Sequence, residues 1–143
     1  PAAILMTHGH WDHTGALYAF PGVPIYIHRE DAPMLTKTRF QAGTFVREVD
    51  PRPEATDFVA DGQILKLAGI TIQVLGTPGH TPGGVSYRMG DHLFTGDTLF
   101  DGDYGRTDLP GGSMAQMRES LRMLLGLHGL RAYPGHGSNF IIP

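Results

Sequence analysis

Cysteine is absent from the 143 residues. That excludes disulfides and thiolate ligands, so any metal must sit on histidine and carboxylate. No apolar stretch approaches the ~18 residues of a membrane span, which excludes a membrane partner of that kind. An excess of basic charge is also missing. Lys and Arg number 11 against 14 Asp and Glu, for a net charge of −3, so there is no electrostatic footprint for nucleic acid. No signal peptide is visible and the expected location is cytoplasmic, although a lack of cysteine fits the periplasm equally well. The hydrophobic share of 41% and charged share of 17% are ordinary for a globular protein. Residues 1–143 amount to one domain's worth of chain, able to bury a single core.

Histidine is what the chain has in a telling arrangement. The run His8-Gly9-His10-Trp11-Asp12-His13 is followed by His80, Asp97 and His136, each alone in a glycine-rich turn. With 8 His and 10 Asp in the chain, an H-x-H-x-D-H run arises by chance roughly twice in a thousand such sequences, before the later residues are required. A polar surface loop is therefore a poor account of it. The other histidines, His28, His92 and His128, match no motif and are expected on the surface or in packing.

Five imidazoles and two carboxylates are a full ligand set for two transition-metal ions. Imidazole and carboxylate suit zinc, and suit iron or manganese as well; catalytic sites keep a position open for water or substrate. Seven ligands over two ions leave such positions, and one aspartate between the ions can bridge them. Two ions close together acidify a shared water, polarise a carbonyl and stabilise the oxyanion that forms. Gly79-His80, Gly96-Asp97 and Gly135-His136-Gly137 read as tight turns where backbone passes close to a site.

The pattern along the chain predicts strands that deliver these residues. Ala2–Met6 reads as a buried strand ending at His8 and His10, which face the same way on an extended segment. A short helix is expected over Thr14–Phe20, stopped by Pro21-Gly22, then a strand over Val23–His28 and a helical turn over Arg29–Leu35. Residues 36–56 lose periodicity and read as a loop or irregular helix. Strands follow at Gln63–Leu67, Ile70–Leu75, Val85–Met89 and His92–Thr95, each ligand-bearing turn lying just past a strand. Ser113 and Gln116 form a capping box for a helix whose apolar face is Met117, Leu121, Leu124 and Leu125, with Gly126 and Gly129 able to end it. Ala132-Tyr133 is a last strand leading into Pro134-Gly135-His136-Gly137.

Thr7-His8-Gly9-His10-Trp11-Asp12-His13, with Gly79-His80-Thr81, Gly96-Asp97-Thr98-Leu99-Phe100 and Pro134-Gly135-His136-Gly137, resembles the metallo-β-lactamase superfamily, and within it the glyoxalase II-like hydrolases. The resemblance covers essentially the whole chain. It implies an α/β protein, an αββα sandwich with the site at one edge of its two sheets. It implies a first zinc on His8, His10 and His80, a second on Asp12, His13 and His136, and Asp97 bridging. The implied activity is hydrolysis of a small thioester or related ester by a metal-bound hydroxide, with Asp12 orienting the water or moving its proton.

Departures from the family narrow this further. Asp97 stands where some β-lactamases carry a cysteine ligand. The loop from Asp101 to Gly112 lacks the lysine- and tyrosine-bearing grip on glutathione, and the C-terminal glutathione-binding helical domain is expected to be missing. Tyr104 and Arg106 are the substrate-binding candidates in that loop; Arg106 can instead pair with Asp103 or Asp108. Trp11 is a candidate for the mouth of the site. Ala16 replaces a glycine common after the first motif. A Gly-Arg-Thr-Asp element also occurs in persulfide dioxygenases, which use one iron on the equivalents of His8, His80 and Asp97, and this is the alternative chemistry. Family members carry several strands and a helix before the first motif, so the domain is expected to be N-terminally incomplete. An exposed strand edge at Ala2–Met6 would then favour a homo-oligomer, and a truncated chain that binds metal without turnover is a third reading.

Overall fold

The strand expected at the start of the chain is β1 (Ile4–Leu5), which pairs in parallel with β2 (Ile25–His28), Ile4 opposite Ile25. In this computed structural model the described residues are 1–37 and 50–143. The central part of the 36–56 loop therefore lies outside them. β2 pairs in parallel with β3 (Asp57–Val59), a strand too short for its pattern to stand out in sequence. Among the described residues these form a three-stranded sheet, order β1-β2-β3.

The remaining strands build a second sheet. β4 (Ile64–Leu67), β5 (Ile70–Gly76), β6 (Val85–Met89) and β7 (His92–Gly96) run as an antiparallel meander. The turn between β4 and β5 is Ala68-Gly69, with both residues at positive φ. A separate two-stranded ribbon joins β8 (Leu99–Phe100) and β9 (Asp103–Tyr104). β10 (Arg131–Pro134) then crosses back to lie parallel to β7, and β11 (Phe140–Ile141) closes the edge. The order in this six-stranded sheet is β11-β10-β7-β6-β5-β4.

Helices cover the outer faces. α1 (Trp11–Thr14) runs into a 3-10 turn over Gly15–Ala19, so helical structure starts three residues earlier than expected and takes in Asp12 and His13. α2 (Pro33–Thr36) has Pro in its first turn, where the missing N–H has no helical partner to lose. α3 (Met114–Leu125) is the long one, and the Ser113 side chain accepts from Gln116 N at 3.3 Å. Only that half of the capping box forms, since Ser113 N donates instead to Gly79 O at 2.8 Å. Met117 and Leu124 are fully buried on α3, but Leu125 is 42% exposed and lies off the core face. It follows Leu124 directly, and one residue along a helix turns the side chain about 100°.

Three apolar clusters mark the layers. Val59, Leu65, Ile72, Val74, Val85 and Tyr87 pack between the two sheets, where the Tyr87 hydroxyl donates to Met6 O at 2.9 Å. Leu93, Leu99, Leu124, Ala132 and Ile142 join the larger sheet to α3. Met6, Leu17, Ile25, Ile27 and Leu35 join the smaller sheet to α1 and α2. The result is an α/β sandwich in the order helix, sheet, sheet, helix. Pairing register puts Phe94 and Tyr133 on the same face as Tyr87. There Phe94 stacks on Tyr133 at 5.0 Å between centroids and stays 37% exposed. Among the described residues no helix is long and apolar enough to cross a membrane.

Candidate metal centre

All four ligand-bearing segments end at the same rim of the sandwich. β1 delivers His8 and His10, β5 leads to His80, β7 to Asp97 and β10 to His136, while the first turn of α1 adds Asp12 and His13. The backbone must come unusually close here. A Cβ built on Gly135 would stand 2.2 Å from Asp97 Oδ1 and 2.8 Å from His13 Cε1, and one on Gly105 would overlap Asp97 O. Only glycine lets these turns reach the site.

Two clusters result. His8, His10 and His80, all buried, form the first; Asp12, His13, Asp97 and His136 form the second. His10 Nδ1 lies 2.9 Å from His80 Nε2, and the His8 ring meets those of His10 and His80 edge-on at 5.1 and 5.0 Å. In the second cluster His13 Nε2 stands 3.2 Å from His136 Nε2, and Asp12 Oδ2 is 3.4 and 3.3 Å from those two nitrogens. Asp97 belongs to both. Its Oδ2 is 3.4 Å from His80 Nε2, 4.0 Å from His8 Nε2 and 3.3 Å from His136 Nε2, while Oδ1 is 3.3 Å from His13 Nε2.

Electrostatics keep His8, His10 and Asp97 as lone-pair donors. Burial, reinforced by the neighbouring imidazoles, holds His8 well below the usual histidine range, and burial with His80 lowers His10 to about 4. At neutral pH both are uncharged. Asp97 is lowered to about 2: burial pushes it up, and the close approach of His13 with the imidazoles around it outweighs that. His13 is raised by the same partner in spite of its burial. His8 Nε2 and Asp97 Oδ1 are buried without hydrogen-bond partners. Buried polar atoms are seldom left so. The ligand atoms within each cluster lie within 4.8 Å of one another, close to the span of ligands held about 2 Å from one ion. Orphaned acceptors, neutral imidazoles and a shared carboxylate fit two cations.

Outer contacts orient the rings. His80 Nδ1 donates to Arg106 O at 2.7 Å, which leaves Nε2 free to face Asp97, and His8 Nδ1 lies 3.1 Å from Thr7 Oγ1. Neither contact was legible as a motif, since one uses a main-chain carbonyl. The Arg106 guanidinium is committed to Asp108, at 2.6 and 2.8 Å, so of its two expected uses the structure displays the loop-ordering one. Asp103 instead accepts from Tyr104 N at 2.8 Å. Tyr104 is exposed and lines a cavity of about 470 Å³ with Phe100, Leu121, Leu125 and Phe140. Phe100 also presents an edge contact to the His136 ring at 6.1 Å. Trp11 is 39% exposed on α1, between the ligands. His28, His92 and His128 stay outside both clusters, bonding to Glu30 N, Tyr133 Oη and Pro143 O.

The family model of the Metallo-beta-lactamase superfamily matches residues 1–136. The chain belongs to the metallo-beta-lactamase superfamily. It is 38% identical to the hydroxyacylglutathione hydrolase GloC of Haemophilus influenzae over 144 residues, 94% of this chain and 68% of that protein. The crystal structure of BLEG-1 B3 metallo-beta-lactamase superposes with a TM-score of 0.93 at 33% identity, over 99% of this chain and 72% of the other. The crystal structure of TTHA1623 in a di-iron-bound form gives a TM-score of 0.84 at 34% identity, over 99% of this chain and 73% of that one. Superfamily members are mostly hydrolases. The relatives support a dinuclear metal site for this sandwich and a glyoxalase II-like placement within the family.

Proposed function

We propose that this chain is a glyoxalase II-like hydrolase of a small thioester or related ester, working at a site for two metal ions. Zinc is the proposed metal, with iron or manganese as the alternatives that the same ligands accept. The observation that carries the reading is Asp97, whose two oxygens stand within 3.3–3.4 Å of His80, His136 and His13 across both clusters. Two ions held by these residues would acidify a bound water and polarise the substrate carbonyl.

The chain's own residues do the rest. His8 and His10 stay neutral at physiological pH, and with His80 they offer ring nitrogens from a buried pocket. Asp12, 35% exposed at its side chain, stands where the second cluster opens to solvent and takes the proton from the attacking water. Tyr104 is the proposed substrate contact: it lines the cavity beside Phe100, whose ring edge faces His136 at 6.1 Å. The substrate carries no strict need for glutathione, because the loop from Tyr104 to Pro110 spends its arginine on Asp108. Turnover of a glutathione thioester compared with that of a simpler thiol's ester tests this; a strong preference for glutathione contradicts it. An iron-dependent persulfide dioxygenase is the second reading, favoured by Asp97 Oδ2 lying 3.4 Å from His80 and 4.0 Å from His8. Oxygen consumption with persulfide would move the assignment there. The edge of β1 and the half-exposed Phe94 are the proposed surface for self-association.

A further inference from the structure

Asp31 is fully buried, and among the described residues no salt bridge reaches it. Three donors hold its carboxylate: Gly9 N at 3.0 Å and Thr81 Oγ1 at 2.7 Å on Oδ2, and Gly83 N at 2.7 Å on Oδ1. The origin of those donors is what matters. Gly9 sits between His8 and His10, and Thr81 follows His80 directly. One carboxylate, 50 residues from Thr81 and 22 from Gly9 in sequence, therefore ties together the two segments that supply the first cluster.

Its surroundings are built tightly around this role. A Cβ on Gly83 would stand 2.6 Å from Asp31 Oδ1, and one on Gly9 would stand 2.8 Å from Asp31 O and 2.7 Å from Met34 Cβ. Asp31 itself is fixed by its N–H donating to His28 O at 3.0 Å and its carbonyl accepting from Met34 N at 2.9 Å. The carboxylate is thus anchored at the end of β2 and the start of α2, on scaffold rather than on either ligand loop. An unpaired carboxylate in such a place would be strongly unfavourable, and three convergent donors offset that.

We infer that Asp31 is a positioning residue for the first metal cluster: its carboxylate sets the spacing of His8 and His10 against His80 through Gly9, Thr81 and Gly83. This rests on the proposed two-metal site. Outer groups that hold ligands in place typically contribute 10–100-fold to metal affinity. Asp31→Asn is the sharp test, because it keeps volume and shape but turns an –NH2 toward one or two of the three donors. A packing role would survive it.

The measurement is competition of zinc alone against a chromophoric chelator, in two backgrounds. With His136→Ala the second cluster is crippled and the bound zinc reports the first; there Asp31→Asn should weaken binding about 10–100-fold. With His10→Ala the remaining zinc reports the second cluster, and Asp31→Asn should change it by less than about threefold. Thr81→Val, which removes one donor of three, should weaken only the first cluster and to a smaller degree, and Thr81→Ser should restore it. These variants serve if Asp31→Asn fails to fold. Equal weakening in both backgrounds, or none in the first, overturns the assignment. Failure of the unaltered chain to bind zinc, iron or manganese at all would instead overturn the metal site itself, and this inference with it.

Discussion

Acid should destabilise the metal-free chain before its carboxylates titrate, and His10 shows by how much. Its ring is 7% exposed, and burial with the adjacent His80 lowers its pKa to about 4. In the unfolded chain the same imidazole titrates near 6.5. Between those values the unfolded state binds a proton that the folded state refuses. Stability is therefore intact above about pH 6.5 and falls as pH drops toward 4. The gap of about 2.5 units, at 1.36 kcal/mol each, amounts to roughly 3 kcal/mol from this one residue. His8 acts in the same direction, through burial and the neighbouring His13. His13 acts against them, since its raised pKa contributes stability below the unfolded value and loses it as pH rises. Asp97, lowered to about 2, loses its contribution only below the range of an ordinary carboxylate. A fall of about 3 kcal/mol from His10 alone is a large part of the 5–15 kcal/mol that holds a typical domain. Urea unfolding of chelator-treated protein across this pH range measures it directly, with His10→Gln expected to flatten the curve. If the unfolding free energy moves by less than about 1 kcal/mol, or if His10→Gln is as acid-labile as the parent, the buried neutral cluster is not what the structure describes.

Four other outcomes follow from the geometry. Asp97→Ala should remove both ions and most turnover together, and a variant that keeps two tight metals and full activity would refute the shared carboxylate. Gly135→Ala forces a Cβ to within 2.2 Å of Asp97 Oδ1, so it should destabilise by about 1–3 kcal/mol and loosen metal about 10–100-fold, read by thermal melts and chelator competition. Arg106→Ala should leave zinc affinity nearly unchanged, because the group that holds His80 is the Arg106 carbonyl; a KM raised about tenfold would put the guanidinium on the substrate instead. Light scattering should show association of this chain through the β1 edge, and a stable, fully active monomer would contradict that.

The elements that position the site were legible where hydrophobic pattern is long enough to read. β2, β5, β6, β7 and α3 each carry four or more residues of consistent period, and their observed bounds differ from the pattern by two residues or fewer. β3, β8, β9 and β11 are only two or three residues long, and alternation over so few positions is indistinguishable from loop. The ligand set was legible because metal chemistry requires particular side chains at turns, and those side chains stand in the sequence. Asp31 was not. A lone aspartate carries no sign of three donors that arrive from distant turns, two of them main-chain N–H groups. The Arg106 carbonyl escaped for the same reason, since every residue has one. Leu125 shows the opposite error, in which an apolar residue at helical spacing was assigned to the core although its position turns it toward solvent.

The central claim is that one chain holds two ions through a carboxylate shared between two clusters. Elemental analysis of protein purified without added metal, at known chain concentration and repeated on Asp97→Ala, tests it most directly. The expected stoichiometry approaches two zinc, iron or manganese ions per chain, collapsing in the variant together with the thermal stabilisation that bound metal confers. One ion per chain, or two ions that Asp97→Ala leaves in place, would contradict it.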